Sequence, residues 1–456
     1  MTKIKDFILR KAEHSSWLFL AFWCCVFILY IPAYQGGFYE DFLGFLDNHK
    51  RLTLWESVTR QTSGMYQGLL FFQQVCISLF GTHPIPWFLL FTGLHAFTAV
   101  CIVRFCKGLF DLWQTGYPQL TVLTGVLFWL LTPLAVETVN WKACSHYMIG
   151  MIFLFSILKW VTDYLVLPRR SILLKIVGTY ILSLTFLELF YLTPVFVLLL
   201  LVALIYCRKP LPVNARKAGL SLLLPMIVLW CLYYWALQTI TGRTLARINS
   251  LSELLDPLLL LAKLNKYIVH IYFMEYFLPA SGKASIYRFL GLPPVAVTFG
   301  VFLVIAVLFL IIRMRKAKPG QQIASLLFLM FLISLMFILP MWFFELFPYQ
   351  GSRYFYFPGA FGYLLLAMLI FRIPWSKLRY TVALLYLCCS VCGTMYLVNN
   401  IRAAAITSNK LMDSFKWDNA GDVLLLDLPI FYRGIGIMGA GDPSNFAYHL
   451  DILRNR

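Results

Sequence analysis

The sequence is poor in charge. Only 13% of its 456 residues are Asp, Glu, Lys or Arg, against about 25% in soluble domains. Hydrophobic residues make up 61%, and apolar runs long enough to cross a hydrocarbon core of about 30 Å recur along the chain. A soluble globule is thereby excluded, because its water-facing surface needs more charge than this chain has. The runs are continuous rather than alternating, so they predict membrane-spanning helices and not a closed barrel.

Signals for metals and disulfides are also scarce. Most of the eleven cysteines lie inside or at the ends of apolar runs, where they act as small apolar residues. No cluster of His and Cys has zinc-ligand spacing, so we expect neither a disulfide framework nor a structural metal. No internal repeat stands out. Inverted repeats are a common sequence sign of a secondary transporter, so the sequence gives no repeat evidence for one.

Positive charge dominates among the ionisable residues. The formal net charge is +18, from 38 basic and 20 acidic residues, which in a soluble protein would suggest a nucleic-acid partner. Here Lys and Arg fall in short segments between apolar runs, where they act as topology signals. We therefore expect membrane lipid, and no nucleic acid, around this protein.

Apolar length and basic loops together predict an all-α polytopic protein with about eleven transmembrane helices. The basic residues Lys3, Lys5, Arg10 and Lys11 place the N-terminus in the cytoplasm, and an odd number of spans then puts the C-terminus outside. We expect a multi-pass protein of the bacterial inner membrane, with its active site and C-terminus in the periplasm. The predicted spans are 16–34, 86–104, 117–135, 148–167, 172–187, 190–207, 218–239, 290–312, 322–344, 355–371 and 380–398.

The outer loop at 240–289 is the exception to this pattern. A full span at 257–278 would bring the basic cluster Arg313–Lys318 to the outside, against the charge rule. We therefore predict that 257–278, which contains Lys263 and His270, is a helix lying on or dipping into the outer leaflet.

Domain boundaries follow from the same composition. Residues 1–399 form one transmembrane catalytic domain, in which 35–85 is a first outer loop with amphipathic helices. After Asn399 the chain becomes polar, and we predict that 400–456 is a small tail on the outer face. This tail contains one strand-like run, Val423–Leu428.

Acidic residues stand at the end of the first predicted span. Glu40 and Asp41 follow a Gly-Gly pair and two aromatic residues. A carboxylate at the edge of low-dielectric surroundings is a candidate general base, because partial desolvation raises its pKa toward the working range. The alternative is a solvated loop acid.

Every other predicted outer loop also contributes ionisable groups, which at membrane depth suggest function. Arg353, with Tyr354 beside it, offers a planar fork that matches phosphate oxygens, or else acts as an interfacial anchor among aromatic residues. His146 is a candidate proton shuttle or a structural histidine. Glu188 lies between two apolar runs, which favours a functional role. The second outer loop adds Glu137 and Lys142.

Five short motifs occur in the order that they have in GT-C fold glycosyltransferases. The likeness is to the O-mannosyltransferase branch that carries tetratricopeptide repeats. Phe38-Tyr39-Glu40-Asp41 resembles its first-loop acidic pair, and Met65-Tyr66-Gln67-Gly68 resembles its "YRPL" element. The segment 132–146 resembles its "HPxHxEAVxW…GR" loop, Phe186-Leu187-Glu188 its "SKE…P" element, and the segment 352–358 its "ERYLYLP" element. This chain has Glu40, Gln67 and Thr132 where the branch has Asp, Arg and His.

The resemblance implies a GT-C-like helix arrangement and an inverting enzyme that moves a sugar from a polyprenyl-phosphate donor to an acceptor hydroxyl on a glycan, lipid or protein. Asp41, or the pair with Glu40, would be the general base, and Arg353, Tyr354 and Lys142 would hold the donor phosphate. The residues that would orient the acceptor or support these groups are Glu137, His146, Glu188 and Tyr66. We expect no cofactor and metal-independent chemistry, with a divalent metal as the alternative.

Two other function classes stay open. A transporter or flippase for a lipid-linked glycan would place charged or helix-breaking groups near mid-bilayer. An O-antigen ligase or polymerase would have its key basic residues in one large late outer loop. The acidic pair in the first outer loop favours the glycosyltransferase.

Overall fold

The computed structural model describes most of the chain and is almost entirely helical. The residues that it describes are 15–36, 41–59, 66–209, 215–241, 256–274, 280–338, 351–414, 431–432 and 435–436. Several helices begin with proline, among them those at Pro84, Pro293 and Pro319. Proline suits the first turn of a helix because the N–H that it lacks has no partner there.

The described residues in the first half of the chain form ten α-helices. They are α1 (Ser15–Tyr30), α2 (Asp41–Arg51), α3 (Leu54–Thr59), α4 (Gln67–Phe80), α5 (Pro84–Leu112), α6 (Gln119–Leu130), α7 (Ala135–Asn140), α8 (Ser145–Val166), α9 (Arg170–Leu184) and α10 (Thr193–Tyr206). Short 3-10 turns at Ile31–Ala33, Lys142–Cys144 and Glu188–Leu192 join some of them.

The second half continues the bundle. Its helices are α11 (Ala215–Thr241), α12 (Pro257–Val269), α13 (Ala280–Leu290), α14 (Pro293–Met314), α15 (Pro319–Ile338), α16 (Ser352–Ile370) and α17 (Ser376–Ser414). Helix α12 continues into a π-helical segment, His270–Met274. Two short strands, β1 (Phe431–Tyr432) and β2 (Ile435–Gly436), pair antiparallel.

The predicted membrane character is confirmed, and the predicted span count is only partly matched. In the described part of the chain, nine helices are long and apolar enough to cross a membrane. The predicted spans 117–135 and 172–187 contain helices of 12 and 15 residues, which at 1.5 Å per residue reach about 18 and 22 Å. Both are shorter than a hydrocarbon core of about 30 Å, so the count of eleven stays a prediction.

Helix α16 lies at the centre of the bundle and α14 at its edge. Of the most apolar stretch of each, 78% of α16 and 11% of α14 is buried inside the protein. Helices α6 and α15 pack on α16, and α5 packs on α8. A fully buried histidine links three of these helices, because His95 of α5 accepts a hydrogen bond from the Tyr356 hydroxyl and donates to the Leu130 carbonyl, at 2.8 and 2.9 Å.

The helices predicted in the first outer loop are present as α2, α3 and α4. Two adjacent buried glutamines of α4 connect it to α2 and to the bundle. Gln74 contacts the His49 ring of α2 at 2.8 Å, and Gln73 donates to the Lys142 carbonyl at 2.8 Å. Each amide thus joins a loop helix to a neighbouring element.

Glu56 in the same loop has a structural role. Its carboxylate accepts hydrogen bonds from the Thr53 N–H and hydroxyl at 2.8 and 2.7 Å, which closes the first turn of α3 as a capping box. These hydrogen bonds lower the pKa of Glu56. The acid caps a helix and is not a candidate for the site.

Helix α12 differs from the helix predicted at 257–278. An interfacial helix turns its polar face to water, whereas Lys263, Asn265 and His270 are buried at 4%, 3% and 1% exposure. Leu258, by contrast, is 36% exposed. The polar side chains of 257–278 thus face the protein interior and not water, because α12 packs against α13, α14 and α15. Charge and length alone did not show this packing, and the position of the helix at the outer leaflet stays a prediction.

The C-terminal boundary also differs from the prediction. Helix α17 is 39 residues long and continues to Ser414, so the first part of the predicted tail 400–456 is helical. Ala404 there is buried at 3% exposure, and such packing extends a helix beyond the end of its apolar run. The strand-like run Val423–Leu428 lies outside the described residues.

Replacing Gly125 by Val should destabilise the bundle. A Cβ at Gly125 would lie 2.9 Å from the Leu364 Cα and 3.1 Å from the Tyr363 carbonyl oxygen, backbone atoms of α16 that cannot rotate away. Overpacking of this kind costs about 1–3 kcal/mol, so we expect the melting temperature of the purified protein in detergent to fall by several degrees. Gly178→Val is the matched control, since a Cβ there meets nothing within 4 Å. Equal losses in both variants would contradict close packing of α6 on α16.

Candidate functional site

A buried ion pair joins the second predicted outer loop to the start of the central helix. The Arg353 guanidinium contacts a Glu137 carboxylate oxygen through Nη1. The Glu137 side chain is 6% exposed and that of Arg353 17%. The carboxylate is therefore enclosed, while a small part of the Arg353 side chain remains exposed.

Glu137 also caps helix α16. The backbone N–H groups of Arg353 and Gly351 donate to its two carboxylate oxygens at 2.9 and 3.3 Å. Gly351 has a φ of 92°, a left-handed conformation that glycine adopts readily. The turn at this glycine aims the first N–H groups of α16 at the carboxylate, where the helix dipole adds to the attraction.

Aromatic rings frame the guanidinium. Its central carbon lies 4.4 Å from the Trp141 ring centroid and 4.9 Å from that of Tyr354, within the range of cation–π attraction. Tyr354 is 1% exposed and packs edge-on against Tyr147 at 5.9 Å. These two rings hold the guanidinium plane of Arg353 in one orientation.

Lys142 is more buried than its predicted role requires. The residue is 1% exposed, and its ammonium lies 5.1 Å from the Phe91 ring centroid. Its backbone carbonyl accepts the hydrogen bond from Gln73 described above. The structure thus places Lys142 in the wall behind the second outer loop and not on its surface.

His146 follows Lys142 at the start of α8. Its Nδ1 contacts the Ala143 carbonyl oxygen at 3.0 Å, which requires Nδ1 to carry the proton. The ring also lies against Tyr147, with centroids 4.5 Å apart. These contacts fix the ring and its tautomer, as either a proton shuttle or a structural histidine would need.

The predicted elements around Tyr66 and Glu188 meet. The N–H of Gly68, two residues after Tyr66, donates to the Thr185 carbonyl at 3.0 Å, and Tyr66 packs against a small cluster that includes Phe186. Glu188 begins the 3-10 turn Glu188–Leu192, but its side chain lies outside the described part. The structure therefore joins the two elements without defining what the Glu188 carboxylate contacts.

The packing of Phe42 shows where α2 begins, next to the first-loop acids in the sequence. Asp41 is the first residue of α2, while its side chain and all of Glu40 lie outside the described residues. Phe42 is fully buried against Trp87, with ring centroids 5.3 Å apart. Trp87 in turn contacts Phe91, the ring under the Lys142 ammonium. Helix α2 also packs on the turn Lys142–Cys144, so its start is at the same end of the bundle as the ion pair.

Three buried basic residues near this end were not predicted as part of the site. Lys263 of α12, His270 of the π-helical segment and Lys283 of α13 are 4%, 1% and 7% exposed. The His270 ring lies 4.5 Å from the ring of Phe355, two residues after Arg353. The polar residues in 257–278 were a visible signal, but the sequence could not show that they face the protein interior.

The described side chains contain no group of three or more His, Cys, Asp or Glu that could hold a metal ion. Glu40 and the carboxylate of Asp41 are not among these described side chains. The expectation of metal-independent chemistry therefore stays a prediction.

Removing Glu137 should destabilise the protein more than removing Arg353. Glu137→Ala leaves a buried guanidinium unpaired and takes away the acceptor of two backbone N–H groups, whereas Arg353→Ala leaves the helix cap in place. Removing one partner of a buried pair costs about 3–5 kcal/mol. The free energy of unfolding in detergent would measure both losses.

Asp163→Ala is the matched control for this comparison. Asp163 pairs with Lys159 one turn away on α8, and the two side chains are 42% and 26% exposed, so its loss should cost about 0.5 kcal/mol or less. A Glu137 variant no less stable than the Asp163 variant would show that the pair does not hold α16.

Comparison with protein-family models, curated proteins and solved structures gives no match to this chain. The resemblance of its motifs to GT-C glycosyltransferases therefore stays an expectation, and the function rests on the residues and contacts described above.

Proposed function

We propose that the chain is an integral membrane glycosyltransferase that moves a sugar from a polyprenyl-phosphate donor to an acceptor hydroxyl. The observation that carries this proposal is the ion pair of Glu137 and Arg353. The carboxylate holds the guanidinium at one end of the helix bundle, and the predicted first outer loop packs at the same end. A lipid-linked phosphate is a substrate that such a position suits, because its tail partitions into the bilayer and its headgroup stays at the interface.

The transfer breaks one bond and forms another. The acceptor oxygen attacks the anomeric carbon, the bond from that carbon to the phosphate oxygen breaks, and the configuration inverts. Asp41 takes the proton of the acceptor hydroxyl, with Glu40 beside it. The electron pair of the broken bond leaves on polyprenyl phosphate, which carries the developing negative charge.

Arg353 would stabilise that charge. Two of its terminal nitrogens contact Glu137 and the Tyr354 hydroxyl, while its Nε makes no hydrogen bond to the residues that the structure describes. A guanidinium has five N–H groups, so a phosphate oxygen can bind those that the ion pair does not use. A fixed donor of this kind stabilises charge on a leaving group without reorganisation during the reaction.

The remaining predicted residues take supporting roles in this proposal. Glu137 positions the guanidinium, and Tyr354 forms one face of its frame. Lys142 would support the loop from behind and would not bind the phosphate directly. His146, Glu188 and Tyr66 lie on the elements that border the acceptor side. The sugar, the acceptor class and the periplasmic location of this end are proposed on the same basis.

Asp41→Asn should abolish most of the activity. With a panel of polyprenyl-phosphate sugars in proteoliposomes, release of polyprenyl phosphate should fall about 100- to 10,000-fold, since a general base contributes a factor of this size. Arg353→Lys keeps the charge but loses the planar fork, and we expect a loss of about 100-fold or more.

Glu56→Gln serves as the control for these variants, because it removes an acid from the same loop that only caps α3. Its turnover should stay close to that of the unaltered protein. Unchanged turnover in both Asp41→Asn and Arg353→Lys would remove the site assignment, provided that each variant is folded by its melting curve.

A flippase for a lipid-linked glycan is the second candidate, and helix α12 is the observation that favours it. Its inward polar residues and the π-helical segment at His270–Met274 are features of helices that line substrate paths. The carbonyls of this segment are held from outside it, since Tyr363 donates to Ile271 at 2.7 Å and Tyr386 to Tyr272 at 3.3 Å.

The two functions make opposite predictions for one variant. A flippase would carry a fluorescent lipid-linked glycan across proteoliposomes without releasing polyprenyl phosphate, and Asp41→Asn would leave that movement unchanged. The glycosyltransferase releases polyprenyl phosphate and loses this release in Asp41→Asn. Movement without release would overturn the proposed enzyme.

A further inference from the structure

A groove opens at the other end of the bundle, away from the ion pair. It lies over α15 between α14 and α16, encloses about 240 Å³, and is lined mainly by apolar side chains such as Phe309, Phe328 and Leu369. Arg313 and Arg372 also line it. We name this feature the Arg313–Arg372 groove.

Its position follows from helix α16. This helix has 19 residues and at 1.5 Å per residue is about 28 Å long, close to the thickness of a hydrocarbon core. Arg353 stands at its first turn and Arg372 just beyond its last. The groove and the candidate active site therefore lie at opposite interfaces of the membrane.

The charge at this end is positive and uncompensated along its own helices. Helices α14 to α16 contain no Asp or Glu, and neither Arg313 nor Arg372 pairs with a carboxylate among the described residues. The Arg313 guanidinium lies over the Phe309 ring, 5.5 Å from its centroid. An apolar channel is thus joined to two basic groups at its mouth.

The surroundings of the groove fit a lipid. Helix α14 is the edge helix, with only 11% of its apolar stretch buried, so one wall of the groove faces the acyl chains of the bilayer. The volume is below the range of about 300–1,000 Å³ typical of pockets that enclose whole small molecules, and suits part of one chain. Basic pockets between membrane helices recognise anionic headgroups.

We propose that the Arg313–Arg372 groove binds an anionic phospholipid, with one acyl chain along α15 and the phosphate between the two guanidiniums. Gln321 and Ser325, which also line the groove, offer hydrogen bonds to the glycerol region. This site is independent of the proposed enzyme activity, because it lies at the opposite interface and uses none of the same residues.

The test is native mass spectrometry of the full chain. The protein is equilibrated in detergent with an equimolar mixture of phosphatidylglycerol and phosphatidylcholine, and the retained lipid is counted. We expect phosphatidylglycerol to be enriched, and each guanidinium to contribute about fivefold. Arg313→Gln with Arg372→Gln should bring the ratio close to one.

Arg315→Gln with Lys316→Gln is the matched control. It removes the same charge from the adjoining turn, at exposed residues that do not line the groove, and should keep most of the preference. Ala317→Phe, which narrows the groove and leaves both arginines, should lower the number of retained lipids. Excess inorganic phosphate should not displace the lipid if the acyl chain is bound as well.

Three outcomes would overturn the proposal. They are equal retention of the two lipids by the unaltered protein, an equal loss of preference in the control pair, and full displacement of lipid by inorganic phosphate. The second would show a diffuse surface charge, and the third a simple anion site. Melting curves of each variant separate these outcomes from misfolding.

Discussion

The contact between Glu137 and Arg353 is the constraint on which the rest of the site depends. It joins the short helix α7, in the second predicted outer loop, to the first turn of the central helix α16, over a separation of more than two hundred residues. One carboxylate neutralises a guanidinium and also satisfies two backbone N–H groups. Since both partners are largely removed from water, neither is tolerated alone, and the loops that contain them are held in a single arrangement.

The bundle has two ends with different chemistry. At one end, acidic, basic and aromatic side chains from the loops pack together, and buried Gln73 attaches α4 to the turn at Lys142. At the other, short turns rich in Lys and Arg surround an apolar groove. Between them, α6 comes close to the central helix at Gly125, where a larger side chain would meet the backbone of α16. The proposed lipid substrate and the proposed lipid ligand would bind at these two separate ends.

Much of the fold could be predicted from the sequence, because apolar length and helical character are local properties. The partner of Arg353 could not be predicted, since Glu137 and Trp141 reach Arg353 only through packing of α7 on α16. Helix α12 shows the same limit. Lys263 of this helix and His270 of the π-helical segment are visible in the sequence, but whether a lysine faces water or the protein interior depends on neighbours that are distant in the chain. The end of α17 was misplaced because a polar composition does not stop a helix that packs on other elements.

The most direct measurement is a structure of the full chain in a membrane mimic with a polyprenyl-phosphate sugar bound. We expect the donor phosphate within hydrogen-bond distance of the Arg353 guanidinium, about 3 Å, with the Glu137 contact kept and the Asp41 carboxylate facing the anomeric carbon. A donor bound at the opposite interface, or at this end with its phosphate away from Arg353, would contradict this expectation.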